Sequence, residues 1–121
     1  MNELYNKINL LFQIPIACDS YLHTVGELDG TTFVLVDGDL VKITQDMDFT
    51  EGGNGFRFDF IPKDEIWIDK DFDCLEWTFV AFHEFVERSL MSRGMSYEKA
   101  HDVANVLERE VRVERGTLRG V

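Results

Sequence analysis

The sequence predicts an α+β domain built from an N-terminal helix, a small mainly antiparallel sheet and a C-terminal antiparallel helix hairpin. Three observations point there. β-Branched and aromatic runs concentrate between residues 31 and 69, apolar residues recur at helical spacing over residues 73–112, and capping signals bracket both helices of that second stretch. At 121 residues the chain can build one core but not two lobes with a deep cleft, so a single domain over 1–121 is expected.

Leu4, Ile8, Leu11 and Phe12 fall on one helical face, which predicts a short amphipathic helix over residues 2–13 that stops before Pro15. His23 follows in a stretch with no assignable element and reads as a surface or hydrogen-bonded residue. Thr31–Val36 and residues 40–44 are rich in β-branched residues around Asp37-Gly38-Asp39, which predicts a β-hairpin. Calcium at that turn would need further oxygen ligands that the sequence does not supply.

Residues 51–55 (Glu-Gly-Gly-Asn-Gly) read as a flexible loop, and no following helix or Lys-Ser/Thr pair supports phosphate binding there. Phe56, Phe58 and Phe60 alternate with Arg57 and Asp59, so a strand with its aromatic face toward the helices is expected. Pro62-Lys63-Asp64 turns the chain into a further strand, Glu65–Asp69.

Asp73 can cap the long helix with Glu76 at its third position and Phe72 stapled on Trp77. That helix should run to Ser92 or Arg93 and end on Gly94. Ser96 then caps a second helix, residues 97–112, with an apolar stripe of Tyr97, Ala100, Ala104, Leu107 and Val111. The short connection requires an antiparallel hairpin.

The chemistry concentrates in residues 83–87, His-Glu-Phe-Val-Glu. Four residues apart on a helix, His83 and Glu87 point the same way and share the apolar stripe of Phe79, Phe82, Val86 and Leu90, with Glu84 about 100° round the axis. Folding the chain about position 95 sets His101 and Glu108 within roughly 5 to 6 Å of the level of that pair along the helix axis. His83, Glu87, His101 and Glu108 are thereby expected to converge. They would form either a divalent-metal site, with Glu84 free to act on water, or a metal-free His/Glu network in the core.

Twelve basic against 23 acidic residues give a net charge of -11, which argues against nucleic acid or an anionic membrane as the main partner and makes a cation the more natural guest. Cys18 and Cys74 form no CxxC and read as reduced. The apolar run over residues 8–17 contains Gln13 and Pro15, making it a poor signal peptide and too short a membrane span, so a cytoplasmic location is expected.

With a short sheet before the motif helix and a further helix after it, the chain resembles the minimal zincins, small zincin-type metallopeptidase domains of bacteria and their phages. In that family HExxH supplies two His ligands and a Glu general base, and a later helix supplies the third ligand. His83 and Glu84 match the first His and the Glu, whereas Glu87 stands where the second His would be. The resemblance implies zinc as the leading cofactor, with iron or manganese as alternatives, and His101 or Glu108 as the third ligand. It also implies that Glu65–Asp69 is an edge strand able to pair with a peptide or protein substrate. A carboxylate in place of an imidazole would make the bound water less acidic.

Two other enzyme classes fit less well. A magnesium-dependent nucleotide pyrophosphatase could use Glu84, Glu87, Glu98 and Asp102, but the strand-rich first half opposes an all-helical fold. A di-iron site built on Glu98 and His101 would want a four-helix bundle. The non-enzymatic alternative is a regulatory or interaction domain that keeps the zincin-like shape with a structural metal or none.

Overall fold

The computed structural model describes residues 2–12 and 23–116. Cys18 and the end of the apolar run over residues 8–17 lie outside them.

The architecture is α+β, with an N-terminal helix, a four-stranded mixed sheet and a packed C-terminal helix pair. Helix α1, Glu3–Leu11, starts where Asn2 Oδ1 accepts from the Tyr5 amide at 3.0 Å, and it buries Tyr5 and Ile8. Strands β1, His23–Leu28, and β2, Thr31–Val36, form an antiparallel hairpin across Asp29-Gly30, both at positive φ. His23 therefore opens a strand, in a stretch where the sequence signal was silent.

The expected second strand at residues 40–44 is instead helix α2, Gly38–Thr44. The Asp37 carboxylate accepts from the Leu40 amide at 3.1 Å and caps it, and this local cap outweighs the β preference of Val41, Ile43 and Thr44. Strand β3, Gly52–Asn54, lies in the supposed glycine loop, and β4 is Glu65–Asp69.

The sheet order is β1-β2-β4-β3, antiparallel at β1–β2 and β3–β4 but parallel at β2–β4. A parallel pair requires a crossover, and residues 37–64 supply it. Strand β4 is consequently interior. The expectation that Glu65–Asp69 is an edge open to a substrate is wrong, and the edge on that side is β3.

Alternate strand residues face opposite sides of the sheet. Phe33, Leu35, Ile66 and Ile68 pack toward the helices, against side chains including Tyr5, Phe82 and Phe85. Val36 and Trp67 face a second cluster with Val41, Phe49, Phe58 and Ile61. The predicted strand at residues 56–60 is a series of turns, and Phe58 and Phe60 pack on Phe49 in this second cluster, away from the helices.

Helix α3, Trp77–Ser92, is preceded by a single 3₁₀ turn, Cys74–Glu76, that Asp73 caps by accepting from the Leu75 amide at 2.9 Å. It ends at Gly94, whose φ of 100° closes the last turn as the sequence predicted. Helix α4, Tyr97–Glu114, begins at Ser96, whose Oγ accepts from the Lys99 amide at 3.3 Å. Ala100 and Ala104 are fully buried, and their small side chains let α4 lie close against α3.

Cys74 is disulfide-bonded, which corrects the reading of that cysteine as reduced. Among the described residues no helix is long and apolar enough to cross a membrane.

Candidate metal centre

The middle of α3 is buried on all sides, and residues 77–87 are all in the interior. His83, Glu84 and Glu87 sit there at 7%, 8% and 2% exposure, so each needs a partner. From α4 come His101, half-buried, and Glu108.

Three donor atoms form a triangle. His83 Nε2 lies 3.3 Å from Glu87 Oε2 and 3.2 Å from His101 Nδ1, and His101 Nδ1 lies 2.8 Å from the same Glu87 oxygen. Bonds of 2.0–2.2 Å at tetrahedral angles put two donors roughly 3.3 Å apart, so the triangle fits one ion with small adjustments. Two imidazoles and one carboxylate also make up known catalytic zinc sites that keep a position for water, and they suit ferrous iron as well. With His101 as the third donor, Glu87 exchanges a ligand position without changing that composition.

Glu108 stands elsewhere, with its Oε1 2.9 Å from His83 Nδ1. Burial would raise its pKa, but hydrogen bonds from His83 and Arg112 win and lower it, so the carboxylate is an acceptor only. His83 Nδ1 must therefore carry its hydrogen, and Nε2 turns toward Glu87 and His101. Of the sequence-predicted residues, His83, Glu87 and His101 meet at one point while Glu108 holds His83 from behind.

At His83 burial disfavours the charged ring, but the hydrogen bonds to Glu108 and Glu87 prevail and push its pKa up to about 10. The same fact has a geometric face. A neutral His83 would leave Nε2 and Glu87 Oε2 facing each other without a hydrogen between them, so the site calls for a proton or a cation.

Glu84 is pushed up to about 8, by burial first and the Glu87 charge second. It lines a cavity of about 340 Å³ together with His83, His101, Glu108 and the β3 edge at Gly52. Glycine is required at that edge because a Cβ on Gly52 would stand 2.7 Å from the Trp67 carbonyl and 3.0 Å from Val80. Bare backbone thus runs along the cavity wall.

Asn54 is a site residue that the sequence reading missed. Fully buried at the end of β3, it reaches Glu87 Oε1 with its amide nitrogen at 3.1 Å and Glu84 Oε1 at 3.5 Å. Its Oδ1 accepts from the Phe56 and Arg57 amides at 2.8 and 3.3 Å. An Asn among glycines looks like turn chemistry, and only the long-range packing of β3 on α3 reveals the carboxylates it serves.

Glu98 and Asp102, the pyrophosphatase candidates, are not in the donor triangle. No family model matches the chain, and neither does any curated protein or solved structure at a significant level.

Proposed function

We propose that the protein is a metal-dependent hydrolase of the zincin-like type, with one divalent ion, zinc first, held by His83 Nε2, Glu87 and His101 Nδ1. The observation that carries this reading is the triangle of donors at 2.8 to 3.3 Å. A bound ion would polarise a carbonyl and acidify water at the open position. Glu84 lies in the same cavity, where burial and the Glu87 charge push it up to about 8; the charge of a bound ion would favour its carboxylate and let it take a proton from water, and Glu108 fixes the His83 ring. Strand β3, last in the sheet on that side and with Gly52 on the cavity wall, takes over the substrate-pairing role first expected of β4.

A second reading is a non-catalytic domain with a metal-free His/Glu network. It is favoured by the fact that, among the described residues, no buried side-chain nitrogen or oxygen lacks a hydrogen-bond partner.

Elemental analysis of protein purified without an affinity metal separates the two. We expect about one equivalent of metal, lost in His83→Ala and His101→Ala and retained in His23→Ala and Glu84→Gln. Glu84→Gln should lower peptide hydrolysis by about 100-fold or more. No stoichiometric metal after aerobic and anaerobic purification would abandon the metal centre, and undiminished hydrolysis in Glu84→Gln would abandon the catalytic role.

A further inference from the structure

Among the described residues, Arg57 is the one arginine or lysine lining the cavity beside the donor triangle, and the tip of Tyr97 stands between them. Its guanidinium sits between two rings, with Cζ 4.0 Å from the Tyr97 ring centre and 4.6 Å from that of Phe58. Nη1 donates to Tyr97 Oη at 2.6 Å, and that oxygen is 3.5 Å from His101 Nδ1. The positive group is therefore one tyrosine hydroxyl away from the candidate ligands.

What this arginine lacks is a carboxylate. Arg112 pairs with Glu76 and Glu108, yet Arg57 makes no ion pair among the described residues, in a chain with 23 acidic against 12 basic residues. A guanidinium carries five N–H donors in a planar fork, and Tyr97 takes only one of them. The remaining donors suit a bidentate carboxylate, and the two rings hold the fork in place so that little side-chain freedom is lost on binding.

We propose that Arg57, steadied by Tyr97, is a carboxylate-binding subsite, and that the substrate carries a free carboxylate about one residue from the bond cleaved, as at the C-terminus of a peptide. The span fits. The legs from His101 Nδ1 to the tyrosine hydroxyl, 3.5 Å, and from there to Nη1, 2.6 Å, set the upper limit of the gap, which one to two extended residues at roughly 3.5 Å each can bridge. The rest of the cavity favours that orientation, because Glu51 and Glu108 line it away from the Arg57 end and disfavour an anion there. The cleavage rests on the metal-centre reading, whereas the carboxylate binding does not.

The test compares N-acetylglycine with N-acetylglycinamide, titrated into zinc-loaded protein and followed through the backbone amide signals of residues 57, 97 and 101 by NMR, with zinc content measured alongside. The carboxylate should bind about tenfold or more tightly than the amide. Arg57→Gln should erase that preference at unchanged zinc content, and Arg57→Lys, which keeps the charge without the fork, should keep part of it. Equal binding of the two probes overturns the subsite, as does a preference that survives in Arg57→Gln. A preference that Arg57→Gln leaves intact but zinc removal abolishes places the carboxylate on the metal and overturns it too. Failure to take up zinc defeats the hydrolase reading alone, since the same titration on metal-free protein still reads the subsite.

Discussion

His83 Nδ1 donates to Glu108 Oε1 at 2.9 Å, and the other oxygen of that carboxylate accepts from Arg112 Nε at 2.8 Å. Arg112 in turn grips Glu76 through both terminal nitrogens. A chain of charge-assisted hydrogen bonds thus runs from the start of α3 across α4 and back to the ring that faces the donor triangle.

Because Glu108 orients His83 without joining the triangle, Glu108→Ala should weaken zinc binding by about 10- to 100-fold rather than abolish it. Glu108→Gln should cost less, since its amide oxygen can still accept from Nδ1. Competition against a chelating dye measures both. If Glu108→Ala removed metal as completely as His83→Ala, Glu108 would be a direct ligand.

Asn54 joins the two carboxylates to the sheet, which gives its substitutions a graded outcome. Asn54→Ala strips a donor from Glu87 and Glu84 and an acceptor from two amides, and should destabilise the fold by about 2–4 kcal/mol in urea unfolding. Asn54→Asp keeps the acceptor for Phe56 and Arg57 but sets a third carboxylate against two. It should be at least as damaging, and zinc should rescue neither variant fully. An Asn54→Asp protein as stable as the parent would show that the amide donor is dispensable.

The helix hairpin and its convergent polar residues were legible because their signals are local. Ser96, Gly94 and the apolar spacing fix where α3 and α4 start, stop and face, and a hairpin then determines which levels meet. The division of labour within the site was not legible, since whether His101 or Glu108 approaches Nε2 depends on helix rotation. The sheet was misread where tertiary pairing overrides propensity. Residues 40–44 look like strand but follow a capping Asp37, whereas Gly52–Asn54 has little strand propensity and pairs because β4 offers it an edge. The phenylalanines at 56, 58 and 60 alternate, yet Asn54 accepts from the amides of the first two residues of that stretch and bends it into turns.

Gly52 tests the close approach of β3 to its neighbour. In Gly52→Ala the new methyl would meet backbone, the Trp67 carbonyl at 2.7 Å, so β3 must move from β4. We expect a loss of about 1–3 kcal/mol, and faster hydrogen exchange at the β3–β4 amides than at β1–β2. Unchanged exchange at β3 would show that the edge can shift at no cost.

The pH dependence of the metal-free protein follows from two groups that hold protons more tightly folded than unfolded. Glu84 goes from 4.5 to about 8, and its contribution to stability is present below pH 4.5 and lost as pH rises through 8. His83 goes from 6.5 to about 10, and its contribution is present below pH 6.5 and lost on the way to 10. Glu108, lowered from 4.5, acts in the opposite sense and loses its contribution as pH falls below that value. Metal-free stability should therefore peak near pH 5 and decline by on the order of a few kcal/mol toward pH 10. Zinc replaces the proton at His83 Nε2 and balances the carboxylates, so the loaded protein should hold its stability across the alkaline window, and zinc uptake at pH 7 should release protons. Urea unfolding at a series of pH values, with and without zinc, reads the first expectation, and calorimetry in buffers of different ionisation enthalpy reads the second. A metal-free protein that gains stability between pH 6.5 and 10 would contradict the proton-holding role of His83 and Glu84.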